Sequence, residues 1–153
     1  MMKRTIVGFS VDEAGDHIAE LDCGHGQHVR HNPPLSERAW VLTEEGRNSK
    51  LGESLDCVRC NRLEMPEGMV AFQGTAVFTE ETMPIGLQKD HATSVGIWAR
   101  INVLEGQLRY QAETLGVDVV LSPDTPGVIV PQVVHSVVPL GQVRFFVEFY
   151  RRR

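Results

Sequence analysis

Hydrophobic and polar positions alternate in short runs along most of this chain, and the character of those runs changes near residue 65. Residues 3–9 and 17–22 predict two strands around Asp12-Glu13-Ala14-Gly15-Asp16, a hairpin that delivers the chain directly to Cys23. His28 to His31 predict a third strand, and Pro33-Pro34 then interrupts the pattern. Arg38-Ala39-Trp40-Val41-Leu42 resumes an apolar segment. Thr43 followed by Glu44 and Glu45 predicts a capped helix with acids in its first turn, running to about Gly52.

From residue 69 onward the runs are short and β-like, separated by glycine, proline and charged turns: 70–78, 95–104, 107–111, 117–121, 128–130, 135–139 and 143–150. That spacing predicts an all-β sandwich or barrel. Within it Ile97, Ala99, Ile101 and Val103 alternate with Trp98, Arg100, Asn102 and Leu104, as expected where one strand face meets a core. The chain as a whole reads as mainly β.

All three cysteines and four of the six histidines fall before Pro66-Glu67-Gly68. We therefore expect two parts, a small α+β module over residues 1–65 and a β domain over 66–153. A segment of that first size has a thin hydrophobic core and commonly needs a staple. Cys23, His25 and His28, answered by Cys57-Val58-Arg59-Cys60, supply one. Glycines on both sides of His25 let the backbone turn tightly, and a two-residue gap lets two thiolates grip one tetrahedral ion. Three cysteines and one histidine, His25 or His28, would complete a closed zinc shell. A redox dithiol and a disulfide with one leftover thiol are the competing readings. Against the first, thioredoxin-like pairs open a helix in a βαβ context, whereas this pair follows a helical stretch and precedes Leu63-Glu64-Met65-Pro66.

Net charge is −5 and both parts share the acidic balance, so nucleic acid is not an expected partner: the only dense basic run is Arg151-Arg152-Arg153. No stretch approaches the roughly 20 apolar residues of a membrane span, and the first residues do not read as a signal peptide. A cytoplasmic protein with reduced, metal-available cysteines is the expectation.

Two features of the β part resemble the cupin pattern: His91 upstream of Gly96-Ile97-Trp98 with the Leu104-Glu105-Gly106-Gln107-Leu108 turn, and Gly127-Val128-Ile129-Val130-Pro131 with His135 four residues after the proline. Together with the closing Val147-Glu148-Phe149-Tyr150, residues 66–150 are similar to the tellurite-resistance TehB/YeaR-like cupin family. Residues 1–65, with their Cys23-to-His31 run, Pro33-Pro34, Trp40 and Cys57-x-x-Cys60, resemble an uncharacterised bacterial family of small Cys/His-rich proteins. The first resemblance implies a small jelly-roll barrel. It also implies a second divalent metal, zinc or iron, on His91, His135 and Glu148, with Trp98 beside a ligand pocket. The glutamate that metal-binding cupins usually supply from their first motif is replaced here by Ala99. Strand alternation also sets Glu148 with Phe146 and Tyr150, opposite Phe145, Val147 and Phe149.

Three functions remain open at this level. One is a stress-response binding protein, zinc-stabilised, whose barrel captures a small ligand or an oxyanion, linked through the resemblance to tellurite resistance. Another is a metal-dependent cupin enzyme using His91 and His135. The third is a protein–protein docking module with Trp40 on its surface. A homodimer is the expected assembly. Some members of the resembled family carry a methyltransferase domain after the barrel; no glycine-rich nucleotide loop follows it here, so methyl transfer by this chain is not expected.

Overall fold

The computed structural model describes residues 1–153 and divides them into two compact units, Met1–Arg59 and Cys60–Arg153. In the first, β1 (Lys3–Val11), β2 (His17–Leu21), β3 (Gly26–His28) and β4 (Ser54–Asp56) form one antiparallel sheet in the order β3-β2-β1-β4. The β1–β2 hairpin closes on Asp12, whose carboxylate accepts the backbone N–H groups of Ala14 and Asp16, both at 2.9 Å, while Gly15 adopts φ 86°. The Asp16 amide is the largest of the influences that hold the Asp12 carboxyl below the ordinary carboxylate range.

Ala39–Leu42 forms one 3-10 turn, and α1 (Glu44–Asn48) follows, its Thr43 hydroxyl accepting from the Gly46 amide at 3.0 Å. The helix ends four residues before the expected Gly52. Tight turns at Lys50 and Leu51 release the chain so that Gly52, at φ 89°, donates to Ile6 and Glu53 accepts from Ile6, which starts β4 beside β1. Ile6, Ala19, Leu21, Val29 and Val41 make the apolar core of this unit. Trp40 is half-buried, its ring T-shaped against Phe9 at 6.0 Å with the Lys50 ammonium 5.5 Å away, so it is not the open surface the docking reading requires.

After α2 (Val58–Asn61) the second unit is β-strands apart from short 3-10 turns at Ile85–Gln88 and Glu113–Leu115. Its strands are β5 (Met69–Gly74), β6 (Phe78–Thr79), β7 (Trp98–Glu105), β8 (Leu108–Ala112), β9 (Val117–Leu121), β10 (Gly127–Ile129), β11 (Ser136–Pro139) and β12 (Arg144–Arg152). A five-stranded sheet runs β10-β7-β12-β5 with β6 also on β12, and a three-stranded sheet runs β11-β8-β9. Every pairing is antiparallel.

Period-two burial on each sheet identifies the inner faces. Ala99, Ile101, Val103, Ile129, Phe145 and Val147 are buried on the larger sheet, and Leu108, Tyr110, Ala112, Leu121 and Val137 on the smaller. The expected run 70–78 is broken at Thr75, whose hydroxyl accepts from the Val147 amide at 3.0 Å while its own amide donates to the Val147 carbonyl. Between β7 and β8 the chain turns at Gly106 (φ 79°), where a Cβ would lie 2.1 Å from the Gln142 carbonyl oxygen. Only glycine fits that approach.

Candidate functional site

Cys23, His25, Cys57 and Cys60 are all buried, and their ligating atoms lie within 4.8 Å of one another. Cys23 Sγ stands 3.4 Å from His25 Nδ1, Cys57 Sγ stands 3.3 Å from the same nitrogen, and the two sulfurs are 3.9 Å apart. Metal–ligand lengths of about 2.3 Å to sulfur and 2.0–2.1 Å to nitrogen put neighbouring donors of a tetrahedral shell roughly 3.5–3.8 Å apart. The residues present therefore fit a four-coordinate ion, and a Cys3His set is a zinc-type donor set. With four protein donors and full burial such an ion has no open position, so its chemistry is structural rather than catalytic. No two of the three cysteines are joined in a disulfide, which sets aside the reading of a disulfide and a remainder.

Local sequence explains the assembly. Leu21 lies at the end of β2, and its amide donates to the His25 carbonyl while its own carbonyl accepts from Gly24, a turn in which Gly24 takes φ 98°. That loop points Cys23 and His25 to the same side. Gly26 follows in β3, where any Cβ would meet Ile18 at 2.7 Å. On the other arm the Cys57 amide donates to Met2 at 2.7 Å, fixing the start of α2, and one helical turn carries Cys60 to the cluster. The division between compact units falls inside this turn, between Arg59 and Cys60.

His28, the alternative ligand, is excluded from the cluster. It sits on β3 opposite Ile18, and its Nε2 bonds the Asp12 carboxylate at 2.8 Å in a half-exposed pair. The choice between His25 and His28 was not legible from spacing alone. The glycines flanking His25 were the signal that pointed to the tighter turn.

In the second unit His91 and His135 do come together. Their backbones exchange two hydrogen bonds, 2.9 and 2.8 Å, and their rings stand 5.6 Å apart at 84°. Both border a cavity of about 40 Å³ whose walls include Ile101, Ile129, Phe145 and Val147. Glu148 does not join them. It lies on the opposite face of β12, accepting from Asn102 at 3.2 Å and from the Tyr150 hydroxyl at 3.4 Å, because Phe145, Val147 and Phe149 take the cavity side. The expected His91/His135/Glu148 metal set is therefore not assembled. Trp98 is fully buried opposite Tyr150 and outside the cavity wall, so the pocket role expected for it fails as well.

His135 is 3% exposed. Its imidazole pKa is lowered, chiefly by burial, and the hydrogen bond to the Val133 carbonyl opposes this only in part. Tyr110, at 6.0 Å from the His135 ring, donates its hydroxyl to the Val128 carbonyl at 2.7 Å, and burial pushes that phenol up to about 12.

Fold and cluster thus define a mainly β protein with a buried Cys3His centre ahead of its β domain. Residues 73–147 match the TehB-like domain, and residues 7–64 match the family described as protein of unknown function (DUF3565), so both expected resemblances are present. Among solved structures the chain is similar to TehB from Haemophilus influenzae, at 24% identity and a TM-score of 0.52 over 56% of this chain. It covers 32% of that longer protein. It is also similar to a protein from E. coli (strain K12), at 16% identity and a TM-score of 0.54, over 57% of this chain and 95% of the other. These are likenesses of fold. No curated protein matches the chain, and no helix is long and apolar enough to cross a membrane.

Proposed function

We propose that this chain is a metal-stabilised binding protein. A zinc ion on Cys23, His25, Cys57 and Cys60 staples residues 1–65. The β domain over 66–153, a cupin-like jelly roll by resemblance, takes a small molecule into its inner cavity. The observation that carries the binding reading is the cavity itself: apolar walls from the larger sheet, Val137 from the smaller, and two histidines at one side.

Binding is favoured over metal catalysis because only two metal-ligating side chains border the cavity, with Glu148 turned to the far side of β12. An oxyanion of the kind suggested by the link to tellurite resistance is the less favoured ligand. No lysine or arginine lines the cavity, and the neighbouring open groove of about 670 Å³ is bordered by Asp90, Glu113 and Asp118.

Elemental analysis of protein purified without chelator, followed by titration of the full chain with furan under ¹H–¹⁵N and methyl NMR, tests both halves of the proposal. One zinc per chain and saturable shifts at Ile101, Ile129 and Val137 support it. Absence of zinc removes the first half, and absence of cavity shifts removes the second.

A further inference from the structure

The metal centre is not sealed evenly. Among its four donors Cys23 and Cys60 are 0% exposed, whereas Cys57 keeps 4% and His25 1%. The difference has a place in the fold: a groove of about 220 Å³ is bordered by His25 and Cys57 together with Leu21, Gln27, Asp56 and Arg59, and neither Cys23 nor Cys60 belongs to its wall. It runs between the two arms of the site, the β2–β3 turn on one side and the β4–α2 connection on the other. A water molecule takes about 30 Å³ of liquid, so the groove has room for a small reagent.

On the zinc reading proposed above, the three sulfurs are thiolates on one ion, since a coordinating thiol is deprotonated outright. The thiolate is the form that attacks electrophiles. Charge therefore does not rank the three cysteines, and access does. His25 also borders the groove, but an imidazole nitrogen is a harder donor than a thiolate sulfur and the weaker match for a soft carbon centre. Asp56 is paired with Lys3 at 2.8 Å, and Arg59 supplies the opposite charge, so the wall does not call for a charged reagent.

We propose that Cys57 is a modification site, the donor of the centre at which small uncharged electrophiles react first, and that its modification opens the shell and releases the ion. With an alkyl halide, a lone pair of Cys57 Sγ forms a C–S bond while the carbon–halogen bond breaks, the halide leaving with the electron pair. No proton moves, because the sulfur holds none. A neutral thioether then stands where a thiolate stood, and the remaining two cysteines and one histidine no longer close a tetrahedral zinc shell.

Iodoacetamide tests this on the full chain as purified, after elemental analysis of its zinc. The protein is treated with limiting reagent, then unfolded, and its remaining cysteines are capped with deuterated iodoacetamide. Peptide mass spectrometry reads the light label at each cysteine while a colorimetric chelator reads free zinc. Light label should concentrate at Cys57 several-fold over Cys23 and Cys60, with about one zinc released per Cys57 labelled. Val58→Trp, at a 43% exposed position on the groove wall, should keep its zinc and slow the labelling of Cys57. Equal labelling of the three cysteines, as transient unfolding would give, overturns the proposal. So do earlier labelling of Cys23 or Cys60, no labelling at all, and labelling of Cys57 with zinc retained. Unslowed labelling of zinc-loaded Val58→Trp overturns the groove as the route. Protein that carries no zinc when purified overturns the metal reading as well. The wild-type map alone decides the order of reaction if Val58→Trp does not fold.

Discussion

Replacing Cys57 with serine removes one thiolate from the four-donor cluster and leaves the sheet and helix contacts of the first unit as they are. The large buried aliphatic side chains of that unit are Ile6, Leu21, Val29 and Val41. At about 1.5–3 kcal/mol each they contribute roughly 6–12 kcal/mol, whereas a structural zinc site supplies about 10–16 kcal/mol of apparent binding energy. A zinc ion bound there would thus stabilise the unit about as much as its apolar core does. Cys57→Ser should purify with little or no zinc, and in two-dimensional NMR the signals of residues 1–59 should collapse toward random coil. His25→Ala should behave in the same way. His28→Ala should keep one zinc per chain and lose no more than about 1 kcal/mol, the scale of a half-exposed ion pair. If Cys57→Ser kept both its zinc and its spectral dispersion, or if His28→Ala lost metal as His25→Ala does, the four-donor assignment would be refuted.

Gly106→Ala should destabilise the β domain by about 1–3 kcal/mol or more in chemical denaturation, since φ 79° and a 2.1 Å approach to Gln142 must both be relieved; an unchanged midpoint would contradict the turn described. Tyr110→Phe should cost about 0.5–1.5 kcal/mol near neutral pH by orphaning the Val128 carbonyl. The folded-state phenol is raised from 10 to about 12, so the native protein holds a proton that the unfolded chain releases, and stability should fall as pH rises through that window. The Phe variant should lack this alkaline dependence. His135 titrates in the opposite sense: its folded pKa lies below 6.5, so the unfolded chain binds the proton first and stability should fall as pH drops below about 6.5. Denaturation midpoints of wild type and His135→Gln between pH 7.5 and 5 check this, the variant being the flatter of the two.

Much of the strand pattern was visible in the sequence because burial on one face imposes a period of two. Val117–Leu121 matches its expected run, and β8, β11 and β12 differ from theirs by no more than two residues at either end. What escaped were features set by distant partners. Ser54–Asp56 carries too little pattern to announce a strand, and it becomes one only because Lys3–Thr5 offers an edge. The same pull shortened α1. At the metal centre the cysteines were legible from spacing, whereas the histidine depended on a turn closed by Gly24 and on Asp12 claiming His28. Trp98 was misassigned because a resemblance passes on a position, not the face of the sheet on which its side chain lies.

The position of Cys60, one residue past the end of the first compact unit, bears on where such a module can be cut. A piece cut after Arg59 would carry three of the four donors, Cys23, His25 and Cys57, and could not close a four-donor shell around an ion. A segment that carries the whole donor set must therefore extend at least through Cys60, as the family-matched segment 7–64 does. Any fusion or domain graft designed from this protein faces the same constraint.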